Sequence, residues 1–141
     1  MTTVAGLLTI GEVAERTGLT VHTLRFYEQE GLFIEPIPRT AGGRRMYSDQ
    51  EIEWLGVCAK LRSSGMPLPD IRRYVELIRA GESTVQERFA VLREHEDRVR
   101  AQLAELQEAL ATIEYKVALY AERLAEGTAD ELWRNGPECG P

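Results

Sequence analysis

The 141-residue chain is long enough for one domain, or one small domain with an extension. Apolar residues make up 43%, charged residues 28% and aromatic residues only 7%, which fits a folded helical protein and leaves no run near the ~18–20 apolar residues of a membrane span. The net charge of −6 argues against nucleic acid for the chain as a whole, because phosphate binding wants a basic surface.

That charge is unevenly placed. Residues 1–80 hold ten basic and ten acidic side chains, and the whole excess of acid lies in residues 81–141. Between Pro36 and Tyr47 stand Arg39, Arg44 and Arg45 with no acid, and a local basic patch outweighs the global balance when phosphates are close. The N-terminus has no basic region before its short apolar patch, which argues against a secretion signal and for the cytoplasm. Cys58 and Cys139, with His22 and His95, form neither a disulfide framework nor a spaced set of zinc ligands. No metal, cofactor or enzymatic activity is expected; no nucleophile–base pair stands out, and Gly42-Gly43 is too short to cradle a phosphate.

In chain order, Thr9 and Glu12 form a T-x-x-E capping box for a helix over Ile10 to Arg16, ended by Gly18. Thr20 caps a second helix, Val21 to Glu30, which closes at Gly31. The pair reads as a helix-turn-helix. The prolines and paired glycines that follow predict two short strands, Phe33–Pro38 and Arg44–Tyr47, joined by a turn as a wing over about residues 33–47. Ser48 and Glu51 cap a third helix with Ile52, Leu55, Val57, Cys58 and Leu61 inward, stopped by Gly65. Met66-Pro67-Leu68-Pro69-Asp70 starts a fourth helix, which runs through about Arg79 with Ile71, Tyr74, Val75 and Ile78 on its inner face.

From Val85 the period changes to heptads. Phe89, Glu96, Leu103, Leu110, Val117 and Leu124 take position a, and Val85, Leu92, Val99, Leu106, Ile113 and Tyr120 take position d. All but Glu96 are apolar, which predicts a coiled coil about 60 Å long at ~1.5 Å per residue. The alternative is a long helix folded back on its own N-terminal domain. Residues 1–80 are thus read as a winged helix-turn-helix domain, 82–126 as the coiled-coil helix and 127–141 as a flexible tail.

This order resembles the MerR family of bacterial transcription regulators. The residues that carry the likeness are Thr9-Ile10-Gly11-Glu12-Val13-Ala14, the run from Thr20 to Glu28 with Gly31-Leu32, then Gly43, Arg45, Tyr47-Ser48 and Gly65-Met66-Pro67-Leu68. Within the family, Glu53-Trp54-Leu55 and Tyr74-Val75-Glu76-Leu77 look most like the branch that responds to aldehyde and thiol stress. The resemblance implies a mainly α fold: a winged helix-turn-helix domain followed by a long antiparallel coiled-coil helix that forms a homodimer through residues 85–124. It implies binding to double-stranded promoter DNA and control of transcription by bending and untwisting the spacer, acting on RNA polymerase indirectly, and no contact with membranes.

The resemblance also assigns roles. The second helix would enter the major groove, bringing Thr20, His22, Thr23 and Arg25 to bases and phosphates. Arg25 has an alternative as an ion-pair partner of Glu28 or Glu12, and His22 as a plain exposed residue. Tyr27 would offer its hydroxyl to a phosphate or pack under the wing. Arg45 and Tyr47 would reach the flanking backbone, with Arg39 and Arg44 adding charge. Met46 stands where the family's wing usually carries an arginine before the tyrosine, so no phosphate contact is expected of it. Cys58, near Lys60 and Arg62, is the candidate electrophile sensor if its thiol pKa is lowered, or a small buried hydrophobe if not. It lies two residues before the branch's cysteine position, about 200° around a helix. Two other readings stay open: a non-covalent ligand beside Trp54, Tyr74, Phe89 or Tyr120, and a coiled-coil interaction protein without a DNA role.

Overall fold

A computed structural model describes residues 6–127 and 132–133. The chain divides into two compact units, residues 1–95 and 96–141. The first unit holds a strand β1 (Leu8–Thr9), helices α1 (Ile10–Thr17) and α2 (Val21–Gln29), a strand β2 (Met46–Tyr47), and helices α3 (Asp49–Ser63) and α4 (Leu68–Ala80). A 3-10 turn, Glu82–Thr84, leads into the helix α5 (Val85–Glu126), which continues into the second unit.

The helix ends lie where capping chemistry puts them. Thr9 Oγ1 accepts the Glu12 N–H at 3.2 Å, and the Glu12 carboxylate accepts the Thr9 N–H at 2.9 Å. Gly18 closes α1 in the left-handed conformation, φ 78°, which a side chain would strain. Glu51 accepts both the N–H of Ser48 at 3.2 Å and its hydroxyl at 2.5 Å, closing the box at α3. Val13, Leu24, Leu32, Leu55, Met66 and Ile71 are buried together, each contributing about 1.5–3 kcal/mol of transfer free energy. On α3 the buried residues are Leu55 and Cys58, and Val57, expected inward, is 47% exposed because it stands about 200° around the helix from Leu55. On α4 the inner face is Ile71, Val75 and Leu77, while Tyr74 is half-buried beside Trp54, their ring centroids 6.0 Å apart.

The wing departs from expectation. No strand forms over Phe33–Pro38; β2 pairs instead with β1, Leu8 opposite Tyr47 and Thr9 opposite Met46, and a single bridge joins Arg39 to Arg45. The reason is where the backbone acceptors go. Trp54 Nε1 donates to the Leu32 carbonyl at 2.5 Å, and Arg79 donates to the carbonyls of Gly31, Phe33 and Ile34. Pro36 and Pro38 have no N–H for a ladder. The hairpin turn is tighter and later: Thr40 N–H donates to the Arg44 carbonyl at 2.8 Å, with Gly43 at φ 84°.

In the first unit, α5 packs through a face that the heptads do not include. The Thr84 hydroxyl donates to the carbonyl of Leu77 at 2.5 Å, Val91 packs against the core, and buried His95 holds its Nε2 at 2.7 Å from Ser64 Oγ. In the second unit the heptad residues Leu103, Leu106, Leu110, Ile113, Val117 and Leu124 are all more than half exposed. Glu96 pairs along its own helix with Arg100 at 3.1 Å. Of the tail expected to be flexible, residues 128–131 and 134–141, Cys139 among them, lie outside the described residues; Leu132 is buried, and its carbonyl accepts from Lys116 at 3.2 Å. Among the described residues no helix is long and apolar enough to cross a membrane.

Candidate nucleic-acid interface

The predicted DNA residues divide into those brought to the surface and those taken inside. At the start of α2, the Thr20 hydroxyl accepts the Thr23 N–H at 3.0 Å and donates to its hydroxyl at 2.9 Å, so both threonines serve first as the cap. His22 and Arg25 are exposed. Neither acid considered as a partner for Arg25 is available to it. Glu12 is bound to Thr9, and that hydrogen bond holds its carboxyl below the usual glutamate range. Glu28 is bound by the wing: Arg39 Nη2 stands 3.3 Å from Oε2, and Arg45 Nε contacts Oε1.

Arg25 instead lines a cleft of about 410 Å³ with Arg44 and Arg45 from the wing and Thr9, Ile10 and Gly11 from the start of α1. Three arginines line one concavity whose lining contains no acid, beside a helix N-terminus whose dipole also favours anions, although the Arg45 Nε is held by Glu28. Guanidinium forks match phosphate oxygens bidentately. Arg39 stays half-exposed and ties the turn by donating to the Gly43 carbonyl at 3.3 Å.

Of the two tyrosines, Tyr27 takes the packed alternative, and Tyr47 is turned inward, away from the backbone contact expected of it. Tyr27 is buried against Phe26, ring centroids 6.3 Å apart, and Tyr47 is fully buried against Phe33 at 6.0 Å. Burial raises the pKa of both phenols, and Glu28 adds to the effect at Tyr47. They carry the wing and α2 from beneath. Cys58 is likewise fully buried in the core, and burial pushes its thiol up to about 11, against a small opposing pull from Arg62. Of the two readings of Cys58, this burial fits the small hydrophobe, desolvation being the larger effect beside the nearby cation. Among the described residues no group of three or more His, Cys, Asp or Glu is placed to hold a metal.

Sequence reasoning weighed Glu28 only as a partner of Arg25 and missed its contacts with the wing arginines. Its only local signal was an acid three residues after Arg25; its partners lie 11 and 17 residues away.

Residues 8–78 match the family model described as MerR HTH family regulatory protein, and residues 52–115 match that described as MerR, DNA binding. The chain is 36% identical over 120 residues to an uncharacterized HTH-type transcriptional regulator of Haemophilus influenzae, covering 85% of this chain and 88% of that one. It is 34% identical over 92 residues, 65% of each chain, to the transcriptional regulator AdhR of Bacillus subtilis. Among solved structures, HiNmlR, a MerR family regulator lacking the sensor domain and bound to promoter DNA, aligns with a TM-score of 0.82 at 34% identity over 96% of this chain and 99% of that one.

Proposed function

The chain belongs to the MerR family of helix-turn-helix regulatory proteins, and on that footing we propose that it binds promoter DNA as a homodimer and controls transcription by bending and untwisting the spacer. The observation that carries this reading is the convergence of Arg25, Arg44 and Arg45 on one solvent-facing cleft without an acid in its lining. Arg39 extends the basic surface of the wing, His22 is exposed on α2, and Thr20 and Thr23 hold the start of that helix. The likeness to HiNmlR over nearly the whole of both chains supports the same reading.

Most of these contacts set register on the phosphates rather than read bases, so sequence preference comes partly from the energy of deforming the DNA. The exposed heptad face of α5 supports an antiparallel coiled-coil dimer through residues 85–124, holding two wings and two reading helices apart on one duplex. RNA polymerase is affected indirectly, through the shape of the promoter. Of the two inputs that the sequence suggests, the burial and raised pKa of Cys58 weigh against an electrophile there and favour a non-covalent ligand. The test is a gel shift on the DNA upstream of the chain's own gene. A specific complex at moderate salt, retained against competitor DNA, is expected; its absence sinks the reading.

A further inference from the structure

We propose that Glu28 is a positioning residue for DNA binding, an acid kept inside a basic interface to hold the two wing arginines, Arg39 and Arg45, against α2. This rests on the promoter-binding reading above.

On charge alone, Glu28 is misplaced. It lies on α2 three residues after Arg25, close enough to any phosphate reached by that helix to repel it. It cancels one of the two positive charges it touches. A glutamine there would keep the helix and remove the repulsion.

The geometry supplies the reason for an acid. Arg39 and Arg45 face each other across the bridge of the wing hairpin. Like charges directly opposite on paired strands destabilise the pair. Glu28 reaches both with separate oxygens: Oε2 to Arg39 at 3.3 Å and Oε1 to Arg45 Nε. Its side chain is 25% exposed and that of Arg45 23%, so screening by water is reduced. Arg39 passes the restraint on to the turn through the Gly43 carbonyl. The connection between α2 and the wing has no strand of its own, its carbonyls being held by Trp54 and Arg79. The carboxylate is thus a direct side-chain tie between α2 and the wing, and it fixes where two guanidinium groups stand relative to Arg25.

The two accounts predict opposite signs. If Glu28 only repels phosphate, removing its charge tightens binding and leaves the salt dependence unchanged or steeper. If it positions the arginines, removing its charge weakens binding and makes the salt dependence shallower, because loosened arginines displace fewer counterions.

The experiment uses the full chain and a labelled duplex from its own upstream DNA, with anisotropy titrations at several salt concentrations. Glu28→Gln is expected to weaken binding about three- to tenfold. The slope of log K against log salt is expected to fall by about one to two, at ~0.9 per phosphate contact. The melting temperature of the free protein stays close to wild type. In an R39A/R45A background, Glu28→Gln is expected to cause no further loss, and Glu28→Asp in the wild-type background restores part of the affinity. Unchanged or tighter binding by Glu28→Gln overturns the proposal. So does an equal loss in the R39A/R45A background, or a large fall in melting temperature accompanying lost binding, which would make Glu28 a residue of the fold. If wild type itself forms no specific complex, the promoter reading fails and not merely this one.

Discussion

The first eleven residues of α5, to His95, and the thirty-one that follow share one heptad pattern but meet different surroundings. In the first stretch the covered side chains are Thr84 just before the helix, then Val91 and His95, with Arg88 half-covered, a stripe at spacings of four, three and four. The heptad residues Val85, Phe89 and Leu92 remain 48%, 63% and 37% exposed beside it. In the second stretch the heptad face is more open, Leu103, Leu106, Leu110, Ile113, Val117 and Leu124 each being more than half exposed, with Val99 and Tyr120 less so. Apolarity thus marks a face that wants covering, without saying by what. The face that packs on its own domain is the more polar one, because specific hydrogen-bond partners meet it: the Leu77 carbonyl for Thr84, the Ser64 hydroxyl for His95.

The comparison breaks most sharply if the open face is charged. Leu106→Glu with Leu110→Glu should raise the dimer dissociation constant at least ~1,000-fold, since four carboxylates would enter the seam. Sedimentation equilibrium reads this, and an unchanged constant would remove the coiled coil from the proposal. Leu24→Ala, by contrast, opens a cavity in the covered core and should cost about 3 kcal/mol. Its fall in melting temperature should be the same at every protein concentration, unlike that of the seam variant. Ser64→Ala removes the partner of a buried imidazole and should cost about 1–2 kcal/mol in denaturant titrations.

A smaller effect sits at Cys58. Its folded pKa of about 11 lies above the ordinary value of 9.0, so the folded state retains a proton that the unfolded state loses. Stability should be unaffected below about pH 9 and decline from there toward pH 11; in Cys58→Ala that part of the decline disappears. The same burial predicts equal responses of wild type and Cys58→Ser to a reactive aldehyde in run-off transcription. Smallest on stability is Arg45→Ala, which should leave melting nearly unchanged but lower the salt slope of DNA binding by about one.

Local chemistry was legible in the chain, and remote partnership was not. Both capping boxes, the stop at Gly18 and the change of period at Val85 follow from residues within a few positions of one another, and each stands where it was expected. The hairpin of the wing was legible, but its first strand was misplaced at Phe33–Pro38, because β2 pairs with Leu8–Thr9, nearly forty residues earlier, and Trp54 and Arg79 take carbonyls of that segment. At the site, the arginine cluster was readable from composition. The inward turn of Tyr27 and Tyr47 and the fork at Glu28 depend on packing between α2, α3 and the wing, which spacing does not encode.

Thr9 ends β1, caps α1 and stands opposite Met46. A sheet two residues long has no margin for fraying, so parting Thr9 from Met46 also disturbs the box that starts α1. Opening of the wing and loosening of the first helix are therefore one event. Amides at both places should share a single hydrogen-exchange rate, and duplex DNA clamped at the wing should slow them together.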